Sequence, residues 1–164
     1  MKDVSCVARR NDKFSMKLYD LLKNTEGNLI MSPFSVSAVM AMVSEGARGR
    51  TRKQIRKGMS FPNSNSLQLG YQETLPALKS TDNFTLEAAN TAFVKKGYSV
   101  LQSFQDILEN MFHSNFQSVS FENSQFAARK INKWVEKITR KKIKDLISPD
   151  MLDSDTKLVL INAI

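Results

Sequence analysis

The sequence predicts an α+β fold in which amphipathic helices pack around a few buried strands. Apolar residues recur at helical spacing through most of the 164 residues, while a few short segments are dense in the β-branched and aromatic residues that strands favour. The last such segment, residues 157–164 (KLVLINAI), is a near-continuous apolar run, typical of a strand buried on both faces. The contents of 41% hydrophobic and 24% charged residues are those of an ordinary globular protein.

The first part of the chain predicts two helices with a short strand between them. Residues 10–23 form an amphipathic helix, and residues 29–31 a strand. Ser32 then caps a second helix with Pro33 at its first position, where the missing N–H costs nothing. Because this helix is apolar nearly all round, we expect it to be central and buried, with its innermost face at Val36, Val39, Met40 and Val43.

Two more helices are expected before the first long strand. Thr51 caps the third helix, whose inner residues are Ile55 and Met59. The fourth helix runs near residues 67–78 and is limited by Pro76. Gly46 and Gly49, ahead of Thr51, are expected to end the second helix.

The C-terminal half alternates strands with helices. Residues 84–94 and 116–121 predict strands, and residues 101–113 predict the helix between them. Ser124 caps a long helix with apolar positions spaced by four and three, namely Ala127, Ile131, Trp134, Val135 and Ile138. The strand at 157–164 is followed by no turn or cap, so we expect the whole chain to be the N-terminal portion of a single larger domain.

Catalytic chemistry is not expected from this chain. Its one cysteine, Cys6, and one histidine, His113, exclude an internal disulfide and a cysteine- or histidine-rich metal site. Motifs of hydrolases, nucleotide-binding loops and zinc proteases are absent. His113 is expected in the last turn of a helix, where an imidazole favours the negative end of the dipole. We therefore predict no catalytic residues, no cofactor, no metal and no enzyme activity.

The compartment is suggested only by short features of the sequence. The N-terminus has no apolar segment of the kind found in signal peptides, and no apolar run is long enough to span a membrane. A glycosylation sequon begins at Asn83 and favours an extracellular protein. We predict an extracellular location, with a cytoplasmic one as the alternative, and no membrane partner.

Six motifs, in the same order along the chain, resemble those of the serpins, the serine protease inhibitor superfamily. They are NLIMSPFS at 28–35, GARGRT at 46–51, NTAFV at 90–94, INKWVE at 131–136, KIKDL at 142–146 and LINAI at 160–164. The resemblance covers nearly the whole chain and implies a serpin-like α+β fold, with several helices packed on a central mixed β-sheet that is incomplete at its C-terminal end. It departs from the family where Arg140 and Lys141 replace a usual glycine near the end of the long helix.

The resemblance also implies a site. In serpins the segment around Ser-Pro lies beneath the centre of the main sheet, in a region called the shutter. Residues Asn28, Ser32, Pro33, Ser35 and Asn162 correspond to that region. Polar groups buried under a sheet must be paired, and a small hydrogen-bonded cluster can exchange partners when the sheet opens. For Ser32, a simple helix cap is the alternative role, and the two roles are compatible.

The mechanism implied by the resemblance involves parts of a serpin outside this chain. A serpin offers a reactive loop to a serine protease, and the cleaved loop inserts into the central sheet in a large conformational change. Since that loop would belong to the remainder of the serpin chain, the 164 residues alone are not expected to inhibit. Two alternatives stay open: a non-inhibitory protein of the same fold that binds polyanions, and a truncated chain that self-associates through its open sheet.

The net charge of +8 suits an anionic partner. Six basic residues and no acid lie within residues 48–57, namely Arg48, Arg50, Arg52, Lys53, Arg56 and Lys57. Because some serpins bind glycosaminoglycans through basic helices, the resemblance makes this cluster the candidate site for a heparin-like polysaccharide. A solvated charged face is the alternative. A second basic run lies at 129–144, and since aromatic residues do not interleave with either run, we expect no nucleic-acid partner.

Overall fold

The computed structural model describes residues 2–78 and 89–163. These residues form six α-helices, a short 3-10 helix and three strands. The helices are α1 Lys2–Leu22, α2 Pro33–Gly46, α3 Gly49–Gly58, α4 Ser64–Ala77, α5 Gln102–Phe112 and α6 Ser124–Ile138, and the 3-10 turn is Pro149–Met151. The strands are β1 Ala89–Lys95, β2 Ser114–Val119 and β3 Leu158–Ala163.

The three strands form one sheet in the order β2-β1-β3. The sheet is mixed, in agreement with the predicted fold class. β1 and β2 are parallel, and the chain crosses between them through α5, which supplies the long connection that a parallel pair needs. β1 and β3 are antiparallel, with Asn90 opposite Asn162 and Thr91 opposite Ile161. β1 is therefore the central strand of the described sheet.

Helices cover both faces of this sheet. On one face, a cluster of buried apolar residues joins α1, α2, α4 and α5 to β1, with Met42, Tyr71 and Phe112 at its centre. On the other face, Ile131 and neighbouring residues of α6 pack on Phe93 and on the strands beside it. Because successive side chains of a strand point to opposite faces, alternate residues of β1 belong to different cores.

Several helix boundaries differ from the predicted ones. α1 begins at Lys2, well before residue 10. The short strand predicted at residues 29–31 is wrong, since no described strand pairs with it and Ile30 is 93% exposed. Thr51 lies inside α3, which starts at Gly49, and Asn123 rather than Ser124 caps α6 by accepting a hydrogen bond from the Phe126 N–H at 2.9 Å.

The burial of α2 also differs from the prediction. Its innermost apolar residues are Ala38, Ala41 and Met42, all fully buried, whereas Val36 is 46% exposed. A helix that is apolar all round gives no directional signal, so the sequence could not orient it. Small side chains face the core because α2 lies against both α1 and β3.

The strands are close to their predicted positions. β1 is described from Ala89, so the part of the predicted strand at residues 84–88 lies outside the described residues. β2 begins two residues earlier than predicted and ends at Val119. β3 is confirmed as a strand. Among the residues of β3, only Ile161 and Ala163 are buried, so the predicted burial on both faces is wrong for the described residues.

Candidate functional site

A chain of hydrogen bonds crosses the sheet where β1 and β3 meet α2. The Ser35 hydroxyl donates to Asn162 Oδ1, and Asn162 Nδ2 donates to Asn90 Oδ1 at 2.8 Å. Asn90 Nδ2 in turn donates to the carbonyl oxygen of Phe112 at 2.9 Å. The chain therefore links α2, β3, β1 and the end of α5 through neutral groups, and we call its three side chains, Ser35, Asn162 and Asn90, the sheet network.

Local structure positions each member of the sheet network. Ser32 is the N-cap of α2, and its hydroxyl accepts from the Ser35 backbone N–H at 3.3 Å. Pro33 occupies the first turn, as predicted. Since the cap satisfies the backbone of Ser35, its side chain is left to reach β3. Asn90 and Asn162 meet because they are directly opposite in the antiparallel register.

The predicted shutter residues occupy different places relative to this network. Ser35 and Asn162 are members, and Ser32 and Pro33 form the turn that presents Ser35. Asn28 is exposed in the segment before α2 and lies outside the network. The residue that the sequence reasoning missed is Asn90, which is 4% exposed. It stood first in the NTAFV motif, but only the strand register reveals its pairing with Asn162.

The sheet network consists of neutral groups that hold each other by hydrogen bonds. Each of its groups is an uncharged donor or acceptor, and none of them ionises near neutral pH. Each buried bond is costly to leave unmade but can be exchanged for another of the same kind. A cluster of this type holds two strands and a helix in one arrangement and can pair differently when the strands separate.

A second polar cluster lies at the C-terminal end of α2, around the buried Glu45. Its carboxylate is 2% exposed and accepts from Gln68 Nε2 at 2.7 Å. Arg52 Nη2 lies 3.2 Å from one carboxylate oxygen and Arg56 Nη1 lies 3.6 Å from the other. Ser64 Oγ accepts from both arginines. The cluster thus ties α2, α3 and α4 together.

Burial affects the charges of this second cluster. Desolvation lowers the pKa of the Arg56 guanidinium, with Arg52 acting in the same direction and Glu45 opposing it. The guanidinium keeps its charge at neutral pH because its ordinary pKa is so high. Glu45 therefore has two arginine partners, which compensate the cost of burying a carboxylate. Arg52 and Arg56 are engaged in this role.

The predicted polyanion cluster is accordingly divided in two by the structure. Arg52 and Arg56 face Glu45, and Arg48 is exposed but donates to the Glu45 carbonyl oxygen at 2.7 Å. The other three residues are exposed on one side of α3, at spacings of three and four: Arg50, Lys53 and Lys57. We call these three residues the α3 face.

The remaining predicted features are placed as follows. His113 is the C-cap residue of α5, in the left-handed conformation with φ of 50°, and its Nε2 lies 3.3 Å from the Gln72 carbonyl oxygen. Asn83 lies outside the described residues. Within residues 2–78 and 89–163, no group of acidic, histidine and cysteine side chains could hold a metal ion, and no helix is long and apolar enough to cross a membrane.

The fold agrees with what known proteins show. The family model described as serpin (serine protease inhibitor) matches residues 9–164. The chain therefore belongs to the serpin family. Its relatives include the leukocyte elastase inhibitor of Bos taurus, which is 39% identical over an alignment of 158 residues that covers 94% of this chain and 42% of the relative. The chain spans about two fifths of the length of the first relatives it matches.

Solved serpin structures confirm the architecture. The structure titled cleaved Serpin 42Da superimposes with a TM-score of 0.89 at 34% identity, covering 97% of this chain and 44% of that one. Cleaved kallistatin complexed with heparin also gives a TM-score of 0.89, at 26% identity, covering 97% of this chain and 48% of that one. The predicted α+β serpin fold with a partial mixed sheet is thus confirmed.

Proposed function

We propose that residues 1–164 are the N-terminal portion of a single serpin domain whose full-length protein inhibits a serine protease by inserting its cleaved reactive loop into the central sheet. On this proposal the loop belongs to the remainder of the serpin chain, so the 164 residues alone do not inhibit. The protein is then a suicide substrate rather than an enzyme, and its partner is the protease that it traps. We place it outside the cell, with the cytoplasm as the alternative.

The observation that carries this proposal is the sheet network. It pairs Asn90 of β1 with Asn162 of β3 and attaches both to Ser35 on α2. A sheet that never opened could use apolar residues there, since a buried hydrogen-bonded group adds little net stability over an apolar one. An exchangeable neutral network beneath the strands supports a sheet that opens. Ser32, Pro33 and Ser35 would belong to that shutter, together with Asn162 and Asn28.

The test is to mix the full-length protein with trypsin-like, chymotrypsin-like and elastase-like proteases and to separate the products on a denaturing gel. A band that survives denaturation and contains both proteins is expected with at least one of them. The same protease with its nucleophilic serine replaced by alanine serves as control and should give no such band. Cleaved protein without a complex for all three classes would contradict inhibition by trapping.

The contribution of the sheet network can be tested in the same assay. Asn162→Ala is expected to change the ratio of trapped to merely cleaved protein, because the network holds the strands that must separate. Asn132→Ala is the matched control, since that side chain also makes two hydrogen bonds, with Ile147 O at 2.7 Å and Ile147 N at 2.9 Å, but lies on α6. Equal effects of the two substitutions would argue against a shutter role.

A second candidate function is polyanion binding by a protein of the same fold that does not trap proteases. The observation that favours it is the α3 face, where Arg50, Lys53 and Lys57 are exposed while Arg52 and Arg56 serve Glu45. Similarity to kallistatin, which was solved with heparin, supports a heparin-like polysaccharide as the ligand. The predicted site of six basic residues would then act mainly through these three, with Arg48 at its edge.

Heparin-column chromatography over a salt gradient tests this second function. The triple variant in which Arg50, Lys53 and Lys57 become Gln is expected to elute at lower salt than the parent protein. A control of identical composition exists on α1, where Arg10, Lys13 and Lys17 have the same spacing and are exposed. If both triple variants elute together, the α3 face contributes only general positive charge.

Self-association through the sheet is a third possibility. Among the described strands β3 pairs only with β1, so its other edge carries unpaired backbone groups. Two chains joined along β3 would satisfy those groups. Size-exclusion chromatography of the 164-residue chain at low and high concentration tests it: dimers or larger species are expected, and a monomer at both concentrations would exclude it.

A further inference from the structure

A cavity on the α2 side of the sheet has no role in the proposals above. It has a volume of about 430 Å³ and lies where the C-terminal end of α2, the loop between β1 and α5, and the start of β3 meet. This volume is within the range that is usual for small-molecule sites. We call it the α2–β3 cavity.

Most of the wall of the α2–β3 cavity is apolar. Phe104, Leu158 and Leu160 line it and also pack against the buried core on this face of the sheet. Gly46 lets Phe104 approach α2 closely, since a Cβ atom added to this glycine would lie 2.9 Å from the ring carbon Cε2. Leu101 also lines the cavity and is 72% exposed. Covering these side chains with a hydrocarbon would remove apolar surface from water, which is favourable.

Two cations, Arg48 and Lys157, line the same cavity, and none of the described residues that line it is acidic. Arg48 is held in place through Nη1, which donates to the carbonyl oxygens of Glu45 at 2.7 Å and of Ala47 at 2.9 Å. The hydrogen bonds described for Arg48 use only Nη1, so Nε and Nη2 are left to bind an anion. The backbone of Lys157 is fixed to β1, because its carbonyl oxygen accepts from the Lys95 N–H at 2.9 Å.

The acidic side chains close to these cations in the sequence or in space are engaged elsewhere or are fully in water. Glu45 is 2% exposed and pairs with two arginines of α3. Asp106 is exposed on α5 and accepts from Gln102 Nε2 at 2.8 Å. Asp155 Oδ1 lies 3.9 Å from Lys157 Nζ, but the Asp155 side chain is 96% exposed. An ion pair of that kind is weak in water, whereas a carboxylate shielded by the apolar wall would attract both cations more strongly.

We propose that the α2–β3 cavity binds one amphipathic carboxylate, for which a fatty acid of medium length is the simplest example. The hydrocarbon chain lies against the apolar wall, and Arg48 and Lys157 bind the carboxylate. A guanidinium group matches the two oxygens of a carboxylate, and a guanidinium already held in place loses less freedom on binding. The site shares no residue with the sheet network or the α3 face, and the proposal does not depend on protease inhibition.

Other occupants fit the α2–β3 cavity less well. A nucleotide or a sugar needs several hydrogen-bonding groups to fix its orientation, and a mostly apolar wall offers few of them. A polysaccharide would leave the apolar side chains Leu101 and Phe104 without a partner. The remainder of the serpin chain is another occupant, and the experiment therefore uses the full-length protein, in which a cavity filled by that chain would be closed to a ligand.

Isothermal titration calorimetry of the full-length protein with sodium dodecanoate tests the proposal. We expect one molecule bound per protein, with affinity rising by up to about fourfold for each methylene group between octanoate and dodecanoate. Dodecanol and dodecyltrimethylammonium keep the hydrocarbon chain but remove or reverse the charge. Both are expected to bind at least about tenfold more weakly than dodecanoate, because the bonds to the two cations are lost.

A double variant, Arg48→Met with Lys157→Met, tests the two cations directly. It is expected to weaken dodecanoate binding by about tenfold and to leave dodecanol binding as in the parent protein. The matched control is Arg10→Met with Lys96→Met, since both residues are exposed and lie outside the lining. The control should bind dodecanoate like the parent protein, and circular dichroism checks that both variants are folded.

Three results would overturn the proposal. The first is that the full-length protein binds no dodecanoate, which would mean that the cavity is filled or takes another ligand. The second is that many dodecanoate molecules bind to each protein, or that dodecanol binds equally well, as expected of a detergent on an apolar surface. The third is an equal loss of affinity in the two double variants. If the Arg48 and Lys157 variant does not fold, the comparison of dodecanoate with dodecanol decides the role of the charge.

Discussion

The two faces of the sheet are built from alternate residues of the same strands, and both carry apolar contacts, but the face toward α2 also carries the sheet network. On the face toward α2, Asn90 and Asn162 take part in the sheet network. On the face toward α6, Phe93 and Ile161 pack with apolar residues of the helix. On β3, a hydrogen-bonded contact at Asn162 and an apolar contact at Ile161 are therefore only one position apart.

This difference bears on the proposal that the sheet opens. Apolar contacts are non-directional and depend on buried area, so α6 can keep contact with strands that shift by a small amount. Hydrogen bonds between amides are directional and are either made or broken. The α2 face thus fixes the spacing of β1 and β3, while the α6 face seals the sheet from water. Substitutions on each face can test that division.

The largest effect is expected on the apolar face. Phe93 is fully buried and makes an edge-to-face contact with Trp134, with ring centroids 5.8 Å apart. Phe93→Ala leaves a cavity and is expected to lower the free energy of unfolding by about 3–5 kcal/mol in urea denaturation. Phe126→Ala, also on this side of the sheet but 52% exposed, should cost less than about 0.5 kcal/mol. Similar losses of stability in the two variants would show that the buried Phe93 contributes no more to this face than an exposed residue does.

A smaller effect is expected on the hydrogen-bonded face. Asn162→Ala removes the partner of both Ser35 and Asn90, and leaving these half-buried and buried groups unpaired should cost about 2 kcal/mol. Asn90→Ala should cost a similar amount. Because the two side chains bond each other, the double variant should cost about 1 kcal/mol less than the sum of the single ones. Additive losses would show that the network does not act as a unit.

The sequence predicts the apolar face better than the hydrogen-bonded one. The inward positions of α6 follow from helical spacing, and Ala127, Ile131 and Val135 are indeed buried. Predicting which apolar residues of a helix are buried requires only the correct helical period. In contrast, the pairing of Asn90 with Asn162 depends on the strand register, which links residues 72 positions apart. No local pattern in the sequence contains that information.

The burial of Glu45 on α2 could not be predicted from the sequence, for a related reason. Glu45 follows a run of apolar residues and reads as the polar end of a helix, where exposure is the usual state. Its burial depends on Arg52, Arg56 and Gln68, which lie on two other helices. Those arginines were assigned to a ligand because a basic run on its own predicts a charged surface. The three-dimensional arrangement decides which cations are already paired.

The segment after α6 contains a strained residue whose replacement should stabilise the folded protein. Lys141 has φ of 66°, in the left-handed region that costs a residue with a side chain about 1–2 kcal/mol. Lys141→Gly is expected to raise the free energy of unfolding by about 1 kcal/mol after allowing for the greater freedom of the unfolded chain. The measurement is the urea midpoint. Lys142→Gly, at ordinary φ, should give no gain, and an equal gain there would show that local strain is not the cause.

The smallest effect concerns Thr91, a buried polar residue on the α6 face of β1. Thr91 is fully buried opposite Ile161, and its hydroxyl has no hydrogen-bond partner within the described residues. Replacing an unpaired buried hydroxyl by a methyl group of similar shape removes a desolvation cost. Thr91→Val is therefore expected to leave the free energy of unfolding unchanged or to raise it by up to about 1 kcal/mol.

A matched substitution at Thr139, the C-cap residue of α6, should have the opposite sign. The Thr139 hydroxyl donates to the Val135 carbonyl oxygen at 2.8 Å and accepts from the Ile143 N–H at 3.1 Å. Thr139→Val breaks both bonds and should cost about 1 kcal/mol in urea denaturation. If Thr91→Val proved as costly, its hydroxyl would have a partner in the folded protein. The α6 face would then also be held partly by hydrogen bonding, and the contrast between the two faces would be one of degree.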